Sequence, residues 1–428
     1  MSTGFNRDRD EFARGGRALI VLPDQGDAHR DADARLDETA GLAAAIGLVV
    51  TDKVAVRVRA PKPATLIGSG QVEQLAVQVR QDAADLVVFD ASLTPVQQRN
   101  LETALEAKVI DRTGLILEIF GERAATAEGR LQVELAHLDY QGGRLVRSWT
   151  HLERQRGGFG FLGGPGETQI EADRRLIRDR MARLRRELEQ VSRTRGLHRD
   201  RRQRAPWPII ALVGYTNAGK STLFNRLTGA HVMAENLLFA TLDPTLRQIA
   251  LPGIDKAILS DTVGFVSDLP TQLVAAFKAT LEEVVSADLL IHVRDIAHPD
   301  TEAQRSDVEA VLAEIGVSEM TPRFEAWNKL DLLDTEQHDT MLAEADRRDD
   351  VVALSALSGE GVDALIEQVA GKLTAGHRRY WITLEAGDGA GAAWLHAHGE
   401  VLGQVSEELE TQYEVRLAER DYERFLQR

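Results

Sequence analysis

The feature that most constrains the fold is a glycine-rich segment with the spacing Gly-x-x-x-x-Gly-Lys-Ser. It comprises Gly214, Tyr215, Thr216, Asn217, Ala218, Gly219, Lys220 and Ser221. The apolar run 208–213 before it predicts a strand, and the residues 221–227 after it predict a helix. In that context the backbone N–H groups and the helix N-terminus hold α- and β-phosphates. We expect Lys220 to reach the β- and γ-phosphates and the Ser221 hydroxyl to coordinate Mg²⁺.

Two later segments have the groups needed to sense a γ-phosphate. One follows the apolar strand 257–260 and comprises Asp261, Thr262, Val263 and Gly264. Its carboxylate can hold a magnesium-bound water, and the Gly264 N–H can meet the γ-phosphate. The other comprises Phe239, Ala240, Thr241, Leu242 and Asp243. The Thr241 hydroxyl could complete the magnesium shell when triphosphate is bound, and Thr245 is the alternative. The predicted catalytic groups are Lys220, Thr241 and Gly264, and the predicted metal ligands are Ser221 and Thr241.

Two further segments predict recognition of the base. After the strand-like run 324–327 come Asn328, Lys329, Leu330 and Asp331, and after 351–354 come Ser355, Ala356 and Leu357. A carboxylate accepts from guanine N1–H and the 2-amino group together, a donor pair that adenine lacks. A backbone N–H of the second segment can reach guanine O6. Four of these motifs come in a fixed order: 214–221, 261–264, 328–331 and 355–357. Together they predict a guanine nucleotide switch that hydrolyses GTP to GDP.

Catalytic help is expected from outside the four motifs. Many small GTPases have a glutamine after Asp-x-x-Gly that orients the attacking water, and this chain has Phe265 there. We therefore expect slow intrinsic hydrolysis and stimulation by a large partner that reorders the switch loops. The Asn217 side chain could hold K⁺ against the phosphates, where an arginine finger would act, or could simply cap the phosphate loop.

The residues 17–120 alternate between short apolar runs and helical spacing, which predicts an N-terminal parallel α/β domain. Gly68-Ser69-Gly70 could form a phosphate-binding nest, but the start of a helix is the favoured interpretation. The residues 1–16 are polar, carry both charge signs and predict a disordered N-terminus rather than a signal peptide.

The segment 121–204 predicts a long helical hairpin with a glycine-rich loop and a basic linker. Leu131, Leu135 and Leu138 share one helical face, and a second helix has Ile170, Ile177, Met181, Leu184, Leu188 and Val191 on its apolar stripe. Between them, 156–166 contains six glycines, one proline and two phenylalanines. Glycine backbone approaches phosphate closely and phenylalanine stacks on bases, so the loop suits insertion into structured RNA, although a flexible connector has the same composition.

The charge distribution supports a polyanionic partner at this segment. The whole chain has a net charge of -16, but 144–204 contains 17 Arg against 8 Asp and Glu. A local basic patch can bind a polyanion while the remainder stays acidic. A solvated helix with ion pairs at i,i+4 spacing is the alternative explanation.

The remaining boundaries follow from composition. The basic linker ends at Ala205-Pro206-Trp207-Pro208, so we predict a doubly wound P-loop GTPase domain over 205–375 and a small α+β segment over 376–428. The fold class is thus multidomain α/β. There are no cysteines, and no apolar run approaches the roughly 20 residues that span a bilayer. We expect a cytoplasmic protein.

Four segments resemble those of the HflX family of ribosome-associated GTPases. They are the phosphate loop 214–221, the segments 239–245 and 261–265, and the upstream stretch Gly163-Gly164-Pro165-Gly166-Glu167-Thr168-Gln169-Ile170-Glu171. The resemblance extends from Arg17 to the start of the C-terminal segment, which matches less clearly. It implies a monomeric cytoplasmic GTPase that binds the large ribosomal subunit, with the hairpin and its loop near the peptidyl-transferase centre. It also implies that the protein splits or rescues stalled ribosomes.

Two other functions remain open from the sequence. The chain could be an adaptor whose GTP state recruits a protein partner such as a protease, with hydrolysis as a timer. It could also modify or remodel RNA with an active site of its own, but 17–120 offers no compact acid/base or metal-binding group, so this is the least favoured interpretation.

Overall fold

The structure is a computed structural model that describes residues 15–26, 30–155, 172, 174–191, 207–230, 239, 245–267, 281, 283–385, 387–407 and 409–426. Three sheets lie within these residues. The glycine-rich loop, the basic linker and most of 1–16 fall outside them. None of the helices in these ranges has the combined length and apolarity that crossing a bilayer requires.

The N-terminal domain has a parallel sheet, as predicted, and its four strands have the order β2-β1-β3-β4. Its elements are β1 (Arg17–Asp24), α1 (Ala32–Ala45), β2 (Val49–Arg57), α2 (Ser69–Gln81), β3 (Leu86–Phe89), α3 (Pro95–Leu105), β4 (Lys108–Asp111) and α4 (Arg112–Arg123). Alternate residues of β1 point to opposite faces. Leu19 and Val21 pack with α2 and α3, whereas Ile20 and Leu22 pack with α1 and α4. The Gly68 segment is the start of α2, as favoured above.

Two helices that run in opposite directions form the arm of the molecule. They are α5 (Ala127–Gln155) and α6 (174–191). The Arg180 guanidinium pairs with the Glu134 carboxylate at 2.7 Å, and Ile177 lies against Gly142. The predicted apolar stripes meet, because Leu138, Met181 and Leu184 form one buried cluster with Leu131, Leu135 and Ile177 against it. The described parts of the hairpin therefore pack as the two apolar stripes predict.

The third unit is a doubly wound α/β domain with the strand order β10-β9-β8-β5-β7-β6, in which β6 alone pairs antiparallel. Its elements are β5 (Ile209–Val213), α7 (Lys220–Thr228), β6 (Thr245–Leu251), β7 (Ile254–Asp261), β8 (Leu289–Asp295), α8 (Thr301–Glu314), β9 (Arg323–Asn328), α9 (Thr335–Ala345), β10 (Val351–Ala353) and α10 (Val362–Thr374). All four predicted motifs follow strands and so meet at one edge of the sheet.

The C-terminal unit is a three-stranded antiparallel sheet with two helices, which agrees with the predicted α+β segment. It contains β11 (His377–Glu385), α11 (Gly389–His398), β12 (Glu400–Ser406), β13 (Glu410–Ala418) and α12 (Glu419–Leu426). Its small core includes Ile382, Leu395 and Val415.

Candidate functional site

The phosphate loop has two glycines that no other residue could replace without strain. Gly214 has φ of +150°, and a Cβ there would lie 2.2 Å from the Val293 carbonyl oxygen. Gly219 has φ of +96°, and its Cβ would lie 2.1 Å from Asn328 Nδ2. Asn217 also has a positive φ, of 59°, which asparagine tolerates. The loop therefore packs tightly on its neighbours while its N–H groups converge at the start of α7.

Lys220 is buried beneath this loop. Its Nζ donates to the carbonyl oxygens of Gly214 at 3.0 Å and Tyr215 at 2.7 Å. Burial lowers the pKa of Lys220 to about 8, and the nearby Asp261 charge opposes that shift. A bound phosphate would be a stronger acceptor than the two carbonyls, and it would favour the charged ammonium.

Two of the residues predicted around magnesium, Ser221 and Asp261, lie together on α7 and β7. The Ser221 hydroxyl donates to Asp261 Oδ2 at 2.8 Å, and Asp261 is fully buried at the end of β7. Thr262 donates to the Leu212 carbonyl oxygen at 2.6 Å, which fixes the strand end. A hydroxyl and a carboxylate are the hard oxygen donors that suit Mg²⁺, so the residues present fit that ion.

The segment after Asp261 closes over the phosphate loop. The Phe265 N–H donates to the Gly214 carbonyl oxygen at 3.1 Å, and the Thr216 N–H donates to the Phe265 carbonyl oxygen at 2.7 Å. A Cβ on Gly264 would lie 2.8 Å from Thr216 Cγ2 and 3.1 Å from Lys220 Nζ. Gly264 therefore lies directly beside the lysine.

Phe265 lies in an apolar interface between the N-terminal and GTPase domains. Its side chain is fully buried in a cluster that also contains Phe120 of α4 and Phe239. The Phe120 and Phe239 rings meet edge to face at 4.6 Å. The residue in the usual place of the water-orienting glutamine is thus a packing residue here.

Every polar atom of Ser267 is hydrogen-bonded, either to Tyr215 of the phosphate loop or to Arg112 of the N-terminal domain. Its N–H donates to the Tyr215 hydroxyl at 2.8 Å, and Arg112 donates to its Oγ at 2.7 Å and to its carbonyl oxygen at 3.3 Å. Tyr215 in turn donates to the Glu38 carboxylate at 2.9 Å. The phosphate loop, the segment after Asp261 and the N-terminal domain therefore share one hydrogen-bond network.

Arg112 is the buried charge at the centre of that network. It pairs with Glu38 at 2.6 Å and with Asp90 at 2.6 Å, and its side chain is almost fully buried. Burial opposes its charge, but the two carboxylates prevail and raise the pKa of Arg112. Burial, together with Glu38, raises the pKa of the Tyr215 hydroxyl. No sequence motif marks this group of residues, and its one local signal is a tyrosine inside the phosphate loop.

The base-recognition motifs meet through their side chains. Asn328 Nδ2 donates to the Ala218 carbonyl oxygen, and the Ala356 N–H donates to Asn328 Oδ1, both at 2.8 Å. The Ser355 hydroxyl donates to the Asp331 carboxylate at 2.5 Å. Lys329 has φ of +73° and pairs with Asp295 at 2.6 Å. Leu330 is fully buried and Leu357 is exposed. The two predicted segments thus form one pocket wall beside the phosphate loop.

Part of the predicted site lies outside the described residues. Phe239 is buried with φ of +58°, but Ala240, Thr241, Leu242 and Asp243 are not described. Thr245 opens β6 and is the register partner of Asp261. The role of Thr241 therefore stays a prediction, with Thr245 close to the metal-binding edge as its competitor.

A doubly wound sheet with a phosphate loop, a magnesium-type Ser–Asp pair and an Asn-Lys-x-Asp base wall defines a P-loop GTPase. Four family models match consecutive parts of the chain: GTP-binding GTPase N-terminal (33–121), GTP-binding GTPase middle region (123–202), 50S ribosome-binding GTPase (209–329) and HflX C-terminal domain (340–428). The chain belongs to the HflX family of GTPases and hydrolyses GTP.

Two GTPase HflX relatives agree with this assignment. GTPase HflX of Magnetococcus marinus is 51% identical over 387 residues, which cover 90% of this chain and 89% of the relative. GTPase HflX of Escherichia coli is 46% identical over 339 residues, 79% of each chain. A solved GTP-binding protein from Sulfolobus solfataricus in complex with GDP is 24% identical, with a TM-score of 0.46 over 84% of this chain and 99% of that one. The C-terminal model extends the family match beyond the limit expected from the motifs.

Proposed function

We propose that this GTPase binds the large ribosomal subunit in a nucleotide-dependent way and splits or rescues stalled ribosomes. The match of 209–329 to a 50S ribosome-binding GTPase model supports the partner, and the arginine-rich segment 144–204 supports a contact with ribosomal RNA. In this proposal the protein acts as a monomer in the cytoplasm. The hairpin loop reaches the peptidyl-transferase centre, and the ribosome stimulates hydrolysis.

The observation that carries the proposal is the anchoring of Ser267 by Arg112. Arg112 begins α4, and its neighbour Asp111 accepts from Tyr140 at 2.6 Å and pairs with Arg144 at 2.7 Å. Tyr140 and Arg144 lie on α5, the first helix of the arm. A γ-phosphate that draws in the Gly264 N–H would act three residues from Ser267. Ser267 is hydrogen-bonded to Arg112, whose neighbour Asp111 contacts the first helix of the arm.

The proposed roles at the nucleotide follow from the contacts in the loop. Lys220 exchanges its two carbonyl acceptors for β- and γ-phosphate oxygens. Ser221 would coordinate Mg²⁺, Asp261 would hold a magnesium-bound water, and Thr241 would be a further ligand. When bound, Mg²⁺ neutralises charge on the β- and γ-phosphates. Gly264 donates its N–H to the γ-phosphate.

We further propose that Asn217 supplies an oxygen ligand for K⁺. Its side chain is exposed on the loop, where a cation would lie against the phosphates. Replacing Na⁺ with K⁺ should raise the hydrolysis rate of the wild type and leave that of Asn217→Ala unchanged. Equal rates of the wild type in the two salts would refute the assignment.

Co-sedimentation with large ribosomal subunits tests the main proposal. We expect binding with a non-hydrolysable GTP analogue, weak binding with GDP, and loss of the analogue-dependent binding when 157–166 are deleted. GTP turnover by the intact chain should rise when subunits are added. Absence of binding in both nucleotide states would favour the adaptor function instead.

A further inference from the structure

Arg226 joins the phosphate-loop helix to the loop that is expected to meet the base. It lies in the last turn of α7, and its Nε donates to the Ala356 carbonyl oxygen at 2.7 Å. Its Nη2 donates to the Leu357 carbonyl oxygen. Gly359 has φ of +99°, and a Cβ there would lie 2.6 Å from Arg226 Nη1. The backbone around the guanidinium therefore leaves space that only glycine provides.

Arg226 and Asn328 bind different backbone groups of Ala356. Asn328 Oδ1 accepts the Ala356 N–H, while Arg226 donates to the Ala356 carbonyl oxygen. The peptide unit that contains this carbonyl also contains the Leu357 N–H. A cationic donor on the carbonyl polarises that unit, so the N–H becomes a stronger donor. The guanidinium thus both fixes the Ala356–Leu357 peptide and strengthens its donor.

We propose that Arg226 is a positioning residue that sets guanine specificity through the Leu357 N–H. Asp331 would read N1–H and the 2-amino group, and the peptide held by Arg226 would read O6. This inference rests on the proposed placement of guanine against Ser355–Leu357. It separates base recognition into two parts, each with its own support: Ser355 holds Asp331 and Arg226 holds the peptide.

The two parts can be separated by changing the base. Inosine diphosphate lacks the 2-amino group, and 6-thioguanosine diphosphate keeps it but has sulfur, a weaker acceptor, in place of O6. Affinities for GDP and both analogues would be measured for the wild type, Arg226→Met, Arg226→Lys and Asp331→Asn. Arg99→Met, which removes an exposed arginine from α3, is the matched control.

We expect Arg226→Met to lose about tenfold in GDP affinity, the scale of one charge-assisted hydrogen bond. Its preference for GDP over the 6-thio analogue should shrink, while its preference for GDP over inosine diphosphate stays at the wild-type value. Arg226→Lys should recover part of the first preference. Asp331→Asn should show the reverse pattern.

Three results would overturn the proposal. An equal loss for GDP and both analogues would show that Arg226 only supports the loop, and no loss at all would show that the contact is irrelevant. If the wild type itself does not distinguish GDP from the 6-thio analogue, the placement of guanine is wrong and the inference goes with it. The ribosome-binding proposal would be unaffected, because sedimentation tests it separately.

Discussion

At the scale of single residues, the site depends on a few positions where burial or close approach leaves no freedom. Lys220 is buried with an acidic neighbour and has a pKa of about 8 because burial disfavours its charge. Gly219 is fixed by the approach of Asn328. Both residues were predicted from the phosphate-loop spacing, whereas the physical reasons for them come from the fold. Asn328 lies more than a hundred positions from Gly219 in the sequence.

The lowered pKa of Lys220 predicts a pH-dependent affinity for GDP. Phosphate oxygens favour the charged form, so the pKa rises on binding. Below about pH 8 the lysine is charged in both states and this group adds no pH dependence. Above it, binding must take up a proton, and affinity should fall by up to about tenfold per pH unit. Calorimetry at pH 8.5 in two buffers of different ionisation enthalpy would show proton uptake with GDP. Guanosine, which lacks phosphate, should show none.

Two glycines offer a matched pair for the phosphate loop. Gly219 and Gly229 both have positive φ, of 96° and 63°, but a Cβ on Gly229 meets nothing within 4 Å. Gly229→Ala should cost about 1 kcal/mol of unfolding free energy and keep GDP binding. Gly219→Ala should cost more and abolish GDP binding, because its methyl group displaces Asn328. Urea unfolding and GDP titration of both variants would check this, and equal effects would contradict the role of the close approach.

At the scale of elements, the phosphate loop and the segment after Asp261 are attached to α1 and α4 of another domain. The polar part of this contact comprises Tyr215, Glu38, Arg112 and Ser267. The apolar part comprises Phe120, Phe239 and Phe265. The Arg30–Asp307 ion pair and the donation from the Asp31 N–H to Asp300 add a contact to α8. The N-terminal sheet is therefore a fixed support for nucleotide-sensing backbone.

Tyr215→Phe tests this support with the loss of one oxygen atom. The Ser267 N–H loses its acceptor, so unfolding free energy should fall by about 1–2 kcal/mol. The ratio of large-subunit affinities with GTP analogue and GDP should move toward one. Thr51→Val removes a hydroxyl that donates to the Ala18 carbonyl oxygen at 3.2 Å, away from the network, and should leave that ratio unchanged. A wild-type ratio in Tyr215→Phe would contradict transmission through Ser267.

At the scale of the whole molecule, charge is divided unequally between the segment 144–204 and the rest of the chain. The segment 144–204 has a net charge of about +9, within a chain of -16. The two helices of the arm pack through a small apolar cluster that contains Leu138, Met181 and Leu184. Arg180 of one helix pairs with Glu134 of the other. An acidic body limits nonspecific attraction to RNA, so a polyanion would meet the protein mainly at the arm.

A salt series of the sedimentation assay follows from this charge distribution. If the arm replaces counterions on ribosomal RNA, affinity in the GTP-analogue state should fall about a thousandfold between about 50 and 200 mM salt. Replacing Arg183, Arg185 and Arg186 with Gln should flatten the slope without changing GDP affinity. An affinity that is independent of salt would exclude a phosphate contact as the main attraction.

Much of the fold was predictable because its signals are local. Strand and helix periodicity identified the parallel N-terminal sheet, the apolar stripes of the hairpin and the α+β C-terminal unit. The four nucleotide motifs could be placed at one edge of the sheet because each follows a strand, and the ends of parallel strands meet at that edge. The domain boundaries and residue roles stay predictions.

The contacts between domains could not be obtained in this way. Arg112 looks like many other arginines, and only folding places it between Glu38, Asp90 and Ser267. Phe265 was recognisable as a missing glutamine, but its burial against the N-terminal domain depends on residues more than a hundred positions away. The local spacing of glycines and polar residues specifies where the backbone turns and which phosphates it can bind. Long-range packing selects which side chains share a buried space, because that selection depends on the shape of both domains at once.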